Sequence, residues 1–581
     1  MTEDPFKPTT EQKEIIGHGG SAFVDACPGA GKTRVIIERA RKLFRAMPPG
    51  RGIAFLSFTR GTISELENRL RQHALLPLPT FPSFIGTFDR FVWQFFIAPF
   101  GLPRCDKRPR LIPDMGERDV KPYSSAQALP LSCFVPSSGV LNQAAAKRRG
   151  FNPSEKPEHL LRAYSTAAIN LRTSARQLGV VGFDEARLAA LERIDTSVTS
   201  SRLAVALSTR FCEVIVDEAQ DCNPDDLKII SWLRDSGIPI KLICDPHQSI
   251  YGFRGGVTDE LFSFANGFKD HERKGLHGNF RSSRNICKAI AMQRQPTAQS
   301  EVDESLGKFK DVCFPIHVLS YAGSAVPSSI GTAFCRLVHE IGEDISKCPV
   351  LAATGTSGAA AIGQPHGRGK NDATFRLTRA VMDFHFASGY DDVKHALEET
   401  HRIILEIENV LSTSSYHKYL SDNDIKPESW RPRLIQILRD LRFDPTAFID
   451  ARSWHSHVKS IMGRNATPAD GVSISMKLKW NADIETLLSI APIGSVTART
   501  IHSVKGLEFP AVCVATTTTL KGILDFLETG TPTEKAEDAR KLYVAASRAQ
   551  KLLVFASPRT QAGRFASHLR KQGADVVLTE I

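Results

Sequence analysis

No two of the eleven cysteines are spaced Cys-x-x-Cys, which excludes the common zinc and iron–sulfur ligand sets. Their odd number and scattered positions also argue against a secreted disulfide framework. The start, Met1-Thr2-Glu3-Asp4-Pro5-Phe6, lacks a basic stretch followed by an apolar one, and no apolar run is long enough to span a bilayer. These absences predict an intracellular protein with no membrane partner. Tandem repeats are missing too, so a solenoid is excluded. Acidic residues are in deficit: 63 Asp and Glu against 74 Lys and Arg give a formal charge of +11, which favours an anionic partner, most commonly nucleic acid. What is present is ordinary for a globular chain, with 42% hydrophobic and 24% charged residues. A length of 581 residues predicts several domains, at ~100–200 residues each.

Two stretches carry most of the chemistry. Ala26-Cys27-Pro28-Gly29-Ala30-Gly31-Lys32-Thr33 lies between an apolar strand (Ala22 to Ala26) and a helix beginning at Thr33. It meets the pattern G-x-x-x-x-G-K-[ST] except at its first position, where Ala26 keeps a small residue. In such a loop the glycines turn backbone N–H groups onto phosphate oxygens, Lys32 reaches the β- and γ-phosphates, and Thr33 holds Mg²⁺. Further along, the apolar strand Val214-Ile215-Val216 ends in Asp217-Glu218-Ala219-Gln220-Asp221. Phosphoanhydride hydrolysis needs a metal-organising acid and a water-activating base there, roles that fall to Asp217 and Glu218. Either stretch alone is an ordinary feature. In this order they describe a nucleoside triphosphate site at the carboxyl ends of a parallel sheet.

Strand-like runs recur at 22–26, 53–56, 214–216, 240–243, 350–353, 511–514 and 552–555, short and apolar as buried parallel strands are. Residues 99–199 differ: prolines crowd their first part, and helical patterning follows at 160–171 and 183–194. A second helical zone covers 373–462. The Gly/Ala/Ser-rich stretch from Thr354 to Lys370 reads as a flexible linker; its Gly367-Arg368-Gly369-Lys370 imitates a phosphate loop but lacks the following Ser or Thr.

The ordered motifs resemble those of the superfamily 1A DNA helicases, the UvrD/Rep/PcrA type, over nearly the whole chain. Thr10-Glu11-Gln12 resembles the adenine-reading glutamine motif. Ser57-Phe58-Thr59 and Gly86-Thr87-Phe88-Asp89 resemble strand-end motifs that touch single-stranded DNA. Asp217 to Asp221 matches the DEXQD box. Cys244 to Gly255, through Gln248, Phe253 and Arg254, looks like GDxxQSIYxFRGA. Gly278-Asn279-Phe280-Arg281-Ser282-Ser283 is similar to the NYRS motif, Thr500 to Phe509 to TxHxxKGLEF, and Leu542 to Ala549 to LYVAxTRA.

The resemblance implies two RecA-like parallel-sheet domains with helical insertions and ATP in the cleft between them. The expected boundaries are 1–98 with 200–274 for the first sheet domain, 99–199 for its insertion, 275–364 with 492–581 for the second, and 365–491 for a reduced second insertion. It implies phosphate-directed arginines at Arg254, Arg281 and Arg548, γ-phosphate sensing by Gln248, ribose contact by Glu508, and adenine contacts by Gln12 and Phe280. DNA contacts are implied for Phe58, Thr59, Thr87, Phe88, Phe253 and His502. The basic residues Arg104, Lys107, Arg108, Arg110 and Lys147-Arg148-Arg149 are weighed as phosphate contacts of the first insertion. The implied activity is an ATP- and Mg²⁺-dependent motor on single-stranded DNA and single/double-strand junctions, of 3′→5′ polarity, in a prokaryotic cytosol or nucleoid. The alternative is a DNA- and NTP-sensing ATPase subunit of a nuclease complex serving repair or antiviral defence, as compact UvrD-like proteins such as the Gabija helicase subunit resemble. The reduced second insertion bears on this choice, since accessory domains of the family contact the duplex. The short stretch after Arg548 is too small for another domain of ~50 residues or more. Any coupled nuclease is therefore expected to be a separate polypeptide.

Overall fold

The computed structural model describes residues 7–76, 79–250, 258–364, 372–386, 390–411, 416–469, 471–489 and 496–581. The apolar runs become strands of two six-stranded sheets, within which every pair is parallel. The first contains β1 (Ala22–Ala26), β2 (Gly52–Ser57), β3 (Phe84–Thr87), β4 (Phe211–Val216), β5 (Ile240–Cys244) and β6 (Arg273–Leu276), in the order β6-β1-β5-β4-β2-β3. The second contains β7 (Ile316–Tyr321), β8 (Val350–Ala352), β9 (Ala498–Thr500), β10 (Phe509–Ala515), β11 (Ala549–Pro558) and β12 (Val576–Glu580), in the order β9-β8-β10-β11-β7-β12. This is the α/β class that the motif order implies.

Alternation of side chains along each strand explains why the runs are apolar throughout. Val24, Phe55, Ile215 and Ile243 enter one core, whereas Phe23, Leu56, Val214, Val216 and Leu242 enter another on the opposite face. In the second sheet, Val318, Val512, Val514 and Phe555 face one side and Leu319, Cys513, Val554 and Ala556 the other. Each fully buried Val, Leu, Ile or Phe contributes ~1.5–3 kcal/mol, so both sheets are covered by helices on both faces. The carboxyl ends of β1, β4 and β5 are left carrying the phosphate loop, the acid pair and Asp245.

Residues 99–199 are helical mainly in their second half, where the patterning places helices. Prolines remove donors from the first half, which holds short bridges and 3₁₀ turns around a small core of Ile112, Val120, Leu129, Phe134 and Tyr164. Helices follow at Glu158–Gln177 and Phe183–Ile194, and the latter sends Ala186, Ala189 and Ala190 into a core of the first sheet. In the second helical zone, Ala373–His385, Tyr390–Ile407, Pro427–Asp440 and Ala451–Asn465 enclose one core around the buried Trp454.

The expected linker is corrected in part. Gly355–Ala361 is a helix, capped by the Thr354 hydroxyl, which accepts from Ser357 N at 3.1 Å. Its small residues serve close packing: a Cβ on Gly358 would lie 3.3 Å from Ala498 Cβ on β9. The imitation phosphate loop, 367–370, lies outside the described residues. The stretch after β11 forms the helix Arg559–Arg570, which leads into β12.

Candidate functional site

The loop after β1 has the conformation a phosphate needs. Gly29 and Gly31 adopt φ of 71° and 77°, the left-handed region that a Cβ disfavours. Gly31 caps the helix Lys32–Ala46 without supplying a side-chain acceptor, leaving that task to an anion. Gln12 is buried and both ends of its amide are engaged: Oε1 accepts from Thr9 N at 3.1 Å, and Nε2 donates to Ala30 O at 3.1 Å. In this conformation it braces the loop rather than presenting a free amide to a base. Cys27 and Pro28 are buried beneath, with Cys27 N donating to Leu276 O of β6.

Asp217 ends β4 and accepts from Glu218 N at 2.9 Å. Burial, and then the neighbouring Glu218, push its carboxyl well above the usual range. Among the described residues it makes no ion pair, so the carboxylate and the Thr33 hydroxyl are available as oxygen donors for Mg²⁺, which takes few protein ligands when phosphates supply the rest. Glu218 occupies the left-handed region at φ 58°, an arrangement that costs ~1–3 kcal/mol for a residue other than glycine. Burial would raise its carboxyl, but Lys505, Lys32 and Arg548 outweigh that and hold it well below the usual range. The chain therefore keeps Glu218 ionised beside an acid that takes up a proton more readily than a free carboxylate.

A hydrogen-bonded chain leads from these acids to the second sheet. Gln220 Nε2 donates to Glu218 Oε2 at 2.5 Å, and Gln220 Oε1 accepts from Asp245 N at 3.0 Å. Gln248 Nε2 donates to Asp245 Oδ2 at 2.7 Å, and Arg548 Nη2 donates to Gln248 Oε1 at 3.0 Å. Arg548 is 2% exposed, and its other bonds go to Val544 O, Leu507 O and Ser547 Oγ. Lys505, directly after the 3₁₀ turn Ile501–Val504, crosses the same gap to Asp221 Oδ2 at 2.5 Å and Glu218 Oε2 at 3.4 Å. In the sequence Lys505 is marked only by its place in the motif from Thr500 to Phe509. Its signal was a lysine between the buried Val504 and the positive-φ Gly506.

Arg281 approaches the loop from the other side: Phe280 N donates to Gly29 O at 2.9 Å, and a Cβ on Gly29 would lie 2.6 Å from Arg281 Cβ. Its guanidinium pairs with Glu508 at 2.7 Å and donates to Ser547 O at 2.9 Å. Glu508, expected at the ribose, is thus held by Arg281. Asn279 was missed; its Oδ1 accepts from both Arg281 N and Ser282 N, fixing that turn. Phe280 is half-buried beside the loop. Arg254 and Phe253 lie outside the described residues.

Of the residues expected at DNA, Phe88 is corrected. It is 1% exposed and belongs to the first sheet's core, its ring stacked on Phe58 at 5.6 Å, so it has no open face for a base. Phe58, Thr59 and Thr87 are partly exposed at the ends of β2 and β3. Both threonine hydroxyls cap helices, accepting from Thr62 N and Arg90 N. His502 is half-buried; burial, and then Lys541, keep its imidazole below the usual range and hence neutral at pH 7. No helix among the described residues is long and apolar enough to cross a membrane.

Comparison with known proteins agrees with this geometry. The UvrD/REP helicase N-terminal domain matches residues 8–99 and 120–269, and the UvrD-like helicase C-terminal domain matches 476–560. Together they cover more than half of the chain. YjcD of Bacillus subtilis, described as an ATP-dependent DNA helicase, is 21% identical over 618 aligned positions, covering 97% of this chain and 80% of YjcD. The Gabija protein GajB of Bacillus cereus is 24% identical over 47% of each chain. The ATP-dependent DNA helicase UvrD1 of Mycobacterium tuberculosis is 25% identical over 48% of this chain and 38% of its own. The matched region thus spans about half or less of GajB and UvrD1.

Proposed function

The chain belongs to the UvrD-like helicases of superfamily 1A, and from that premise we propose that it is an ATP-driven motor on single-stranded DNA, moving 3′→5′. The observation that supports this most is the hydrogen-bonded path from Glu218 through Gln220, Asp245 and Gln248 to Arg548. It joins the hydrolytic acids of one sheet to a buried arginine of the other. Chemistry at the phosphates and movement of the two units are then one event.

In this reading Lys32 and the 29–33 backbone grip the β- and γ-phosphates, and Glu218 takes the proton of the attacking water. Arg548 and Arg281 supply positive charge to the γ-phosphate as the cleft tightens, with Gln248 reporting its presence to Arg548. Arg281 must exchange Glu508 for phosphate to do so. Mg²⁺ held by Thr33 and Asp217 would supply charge neutralisation between the β- and γ-phosphates. Arg254 joins this set by its motif. Phe280 and Gln12 flank the adenine, while Phe58, Thr59, Thr87 and His502 line the DNA track. The domain limits 1–98 with 200–274 and 275–364 with 492–581, and the insertions 99–199 and 365–491, are proposed on the same ground.

Similarity to GajB favours a second reading, an NTP- and DNA-sensing ATPase subunit that works with a separate nuclease. A strand-displacement assay on a 3′-tailed duplex, beside an ATPase assay, separates the two. Displacement that requires ATP and a 3′ tail supports the motor. DNA-stimulated hydrolysis without displacement supports the sensor.

A further inference from the structure

Arg187 lies in none of the motifs, yet its guanidinium meets three carboxylates at once. It sits on the helix Phe183–Ile194, with a side chain 10% exposed. Nε meets Asp226 at 2.6 Å, Nη1 meets Asp184 at 3.0 Å, and Nη2 meets Asp89 at 2.6 Å. The three carboxylates come from three places. Asp89 is in the first turn of the helix Phe88–Val92, directly after the Thr87 and Phe88 strand end. Asp226 is the N3 residue of the capping box that starts the helix Pro224–Asp235, immediately after the acid segment 217–223. Asp184 belongs to Arg187's own helix and holds the guanidinium in plane.

We propose that Arg187 is a positioning residue that couples single-stranded DNA at the β2–β3 strand ends to the hydrolytic acids, a proposal that rests on the motor reading. A phosphodiester at Thr87 displaces the turn that carries Asp89. The rigid fork of Arg187 passes that displacement to Asp226, since an arginine joins two carboxylates in a fixed plane. Asp226 is 1% exposed and its other oxygen accepts from Asn223 N at 3.0 Å, so it cannot move without the loop before it. That loop carries Glu218 in its left-handed conformation, a setting with a lower-energy alternative for a non-glycine residue. Two backbone states of Glu218 are the element that DNA would bias.

The test is steady-state ATP hydrolysis by the full chain, titrated with a thymidine oligonucleotide, for the parent, Asp89→Ala, Asp89→Glu and Arg187→Lys. Asp89→Ala leaves the Arg187–Asp226 pair intact, and Asp89 is one-third exposed, so folding is retained; thermal melting checks this. Basal turnover and the half-saturating DNA concentration should stay near parent values. The DNA-stimulated maximum should fall about fivefold or more, the lower end of coupling between sites. Asp89→Glu should recover part of it, and Arg187→Lys, whose single ammonium cannot span both carboxylates, should resemble Asp89→Ala. An unchanged stimulated maximum in both Asp89→Ala and Arg187→Lys overturns the inference, as does a loss expressed only as weaker DNA binding. A parent enzyme that DNA does not stimulate overturns the motor reading itself, and the coupling with it.

Discussion

Lys505→Met removes one ammonium from the contact between the two units. Lys505 is 3% exposed and Asp221 1%, so neither charge is relaxed by water in the parent. Coulomb's law at the 3.4 Å separation from Glu218, with an effective dielectric of ~20, gives about 5 kcal/mol before desolvation is subtracted. Breaking a buried ion pair by deleting one partner costs about 3–5 kcal/mol, because the other charge is stranded. The same range is expected here from guanidinium denaturation of Lys505→Met. Asp221→Asn removes one of the two stranded charges, Glu218 keeping the other, so the double variant should recover at least ~1.5 kcal/mol relative to additive loss. The coupling should survive raised salt, since buried pairs are poorly screened. A cycle that closes additively within ~0.5 kcal/mol would show that the pair is open in solution, and that the bridge from Lys505 to the acids does not organise the site.

Glu218→Gln should bind ATP and Mg²⁺ as the parent does while turnover falls about 10²–10⁴-fold, as loss of a general base requires; nucleotide binding and phosphate release check the two halves separately. Gly29→Ala should cost ~1–3 kcal/mol in thermal stability and weaken nucleotide binding, because its φ of 71° is left-handed and its Cβ would collide with Arg281. At the opposite ends of the strands, Lys241 is buried against Glu213 and Arg39, and burial lowers its ammonium from 10.5 to about 8. Between pH 8 and 10.5 the unfolded chain then binds more protons than the folded one, so this group makes stability rise with pH by up to ~3 kcal/mol. Melting at both ends of that window should show this gain in the parent relative to Lys241→Met, and identical pH trends would refute it.

Much of the fold was legible where burial on both faces forces unbroken apolar runs: β1, β2, β4, β5, β8, β10 and β11 all coincide with such runs. The strands that escaped notice lie mainly at sheet edges. β3, β6, β9 and β12 each have one open side, and Arg273-Lys274-Gly275-Leu276 or the exposed face of β12 gives no apolar signal. The helix at Gly355–Ala361 was hidden because its small residues, chosen for close approach to β9, look like linker composition. At the site, the loop and acid pair were legible because their chemistry needs contiguous residues. The partnerships of Arg281 with Glu508, Lys505 with Asp221 and Arg187 with Asp89 were not, since each joins residues distant along the chain. Phe88 shows the opposite error, a motif aromatic whose ring the core has already taken.

On the motor reading, single-stranded DNA governs ATP turnover at Lys32 and Glu218. The most direct test is the ATPase rate of the purified chain with and without a thymidine oligonucleotide, over a series of salt concentrations, with Lys32→Ala as the control. Turnover should rise with DNA, lose that rise as salt releases the DNA, and vanish in Lys32→Ala. Equal rates with and without oligonucleotide at every salt concentration would contradict the motor reading.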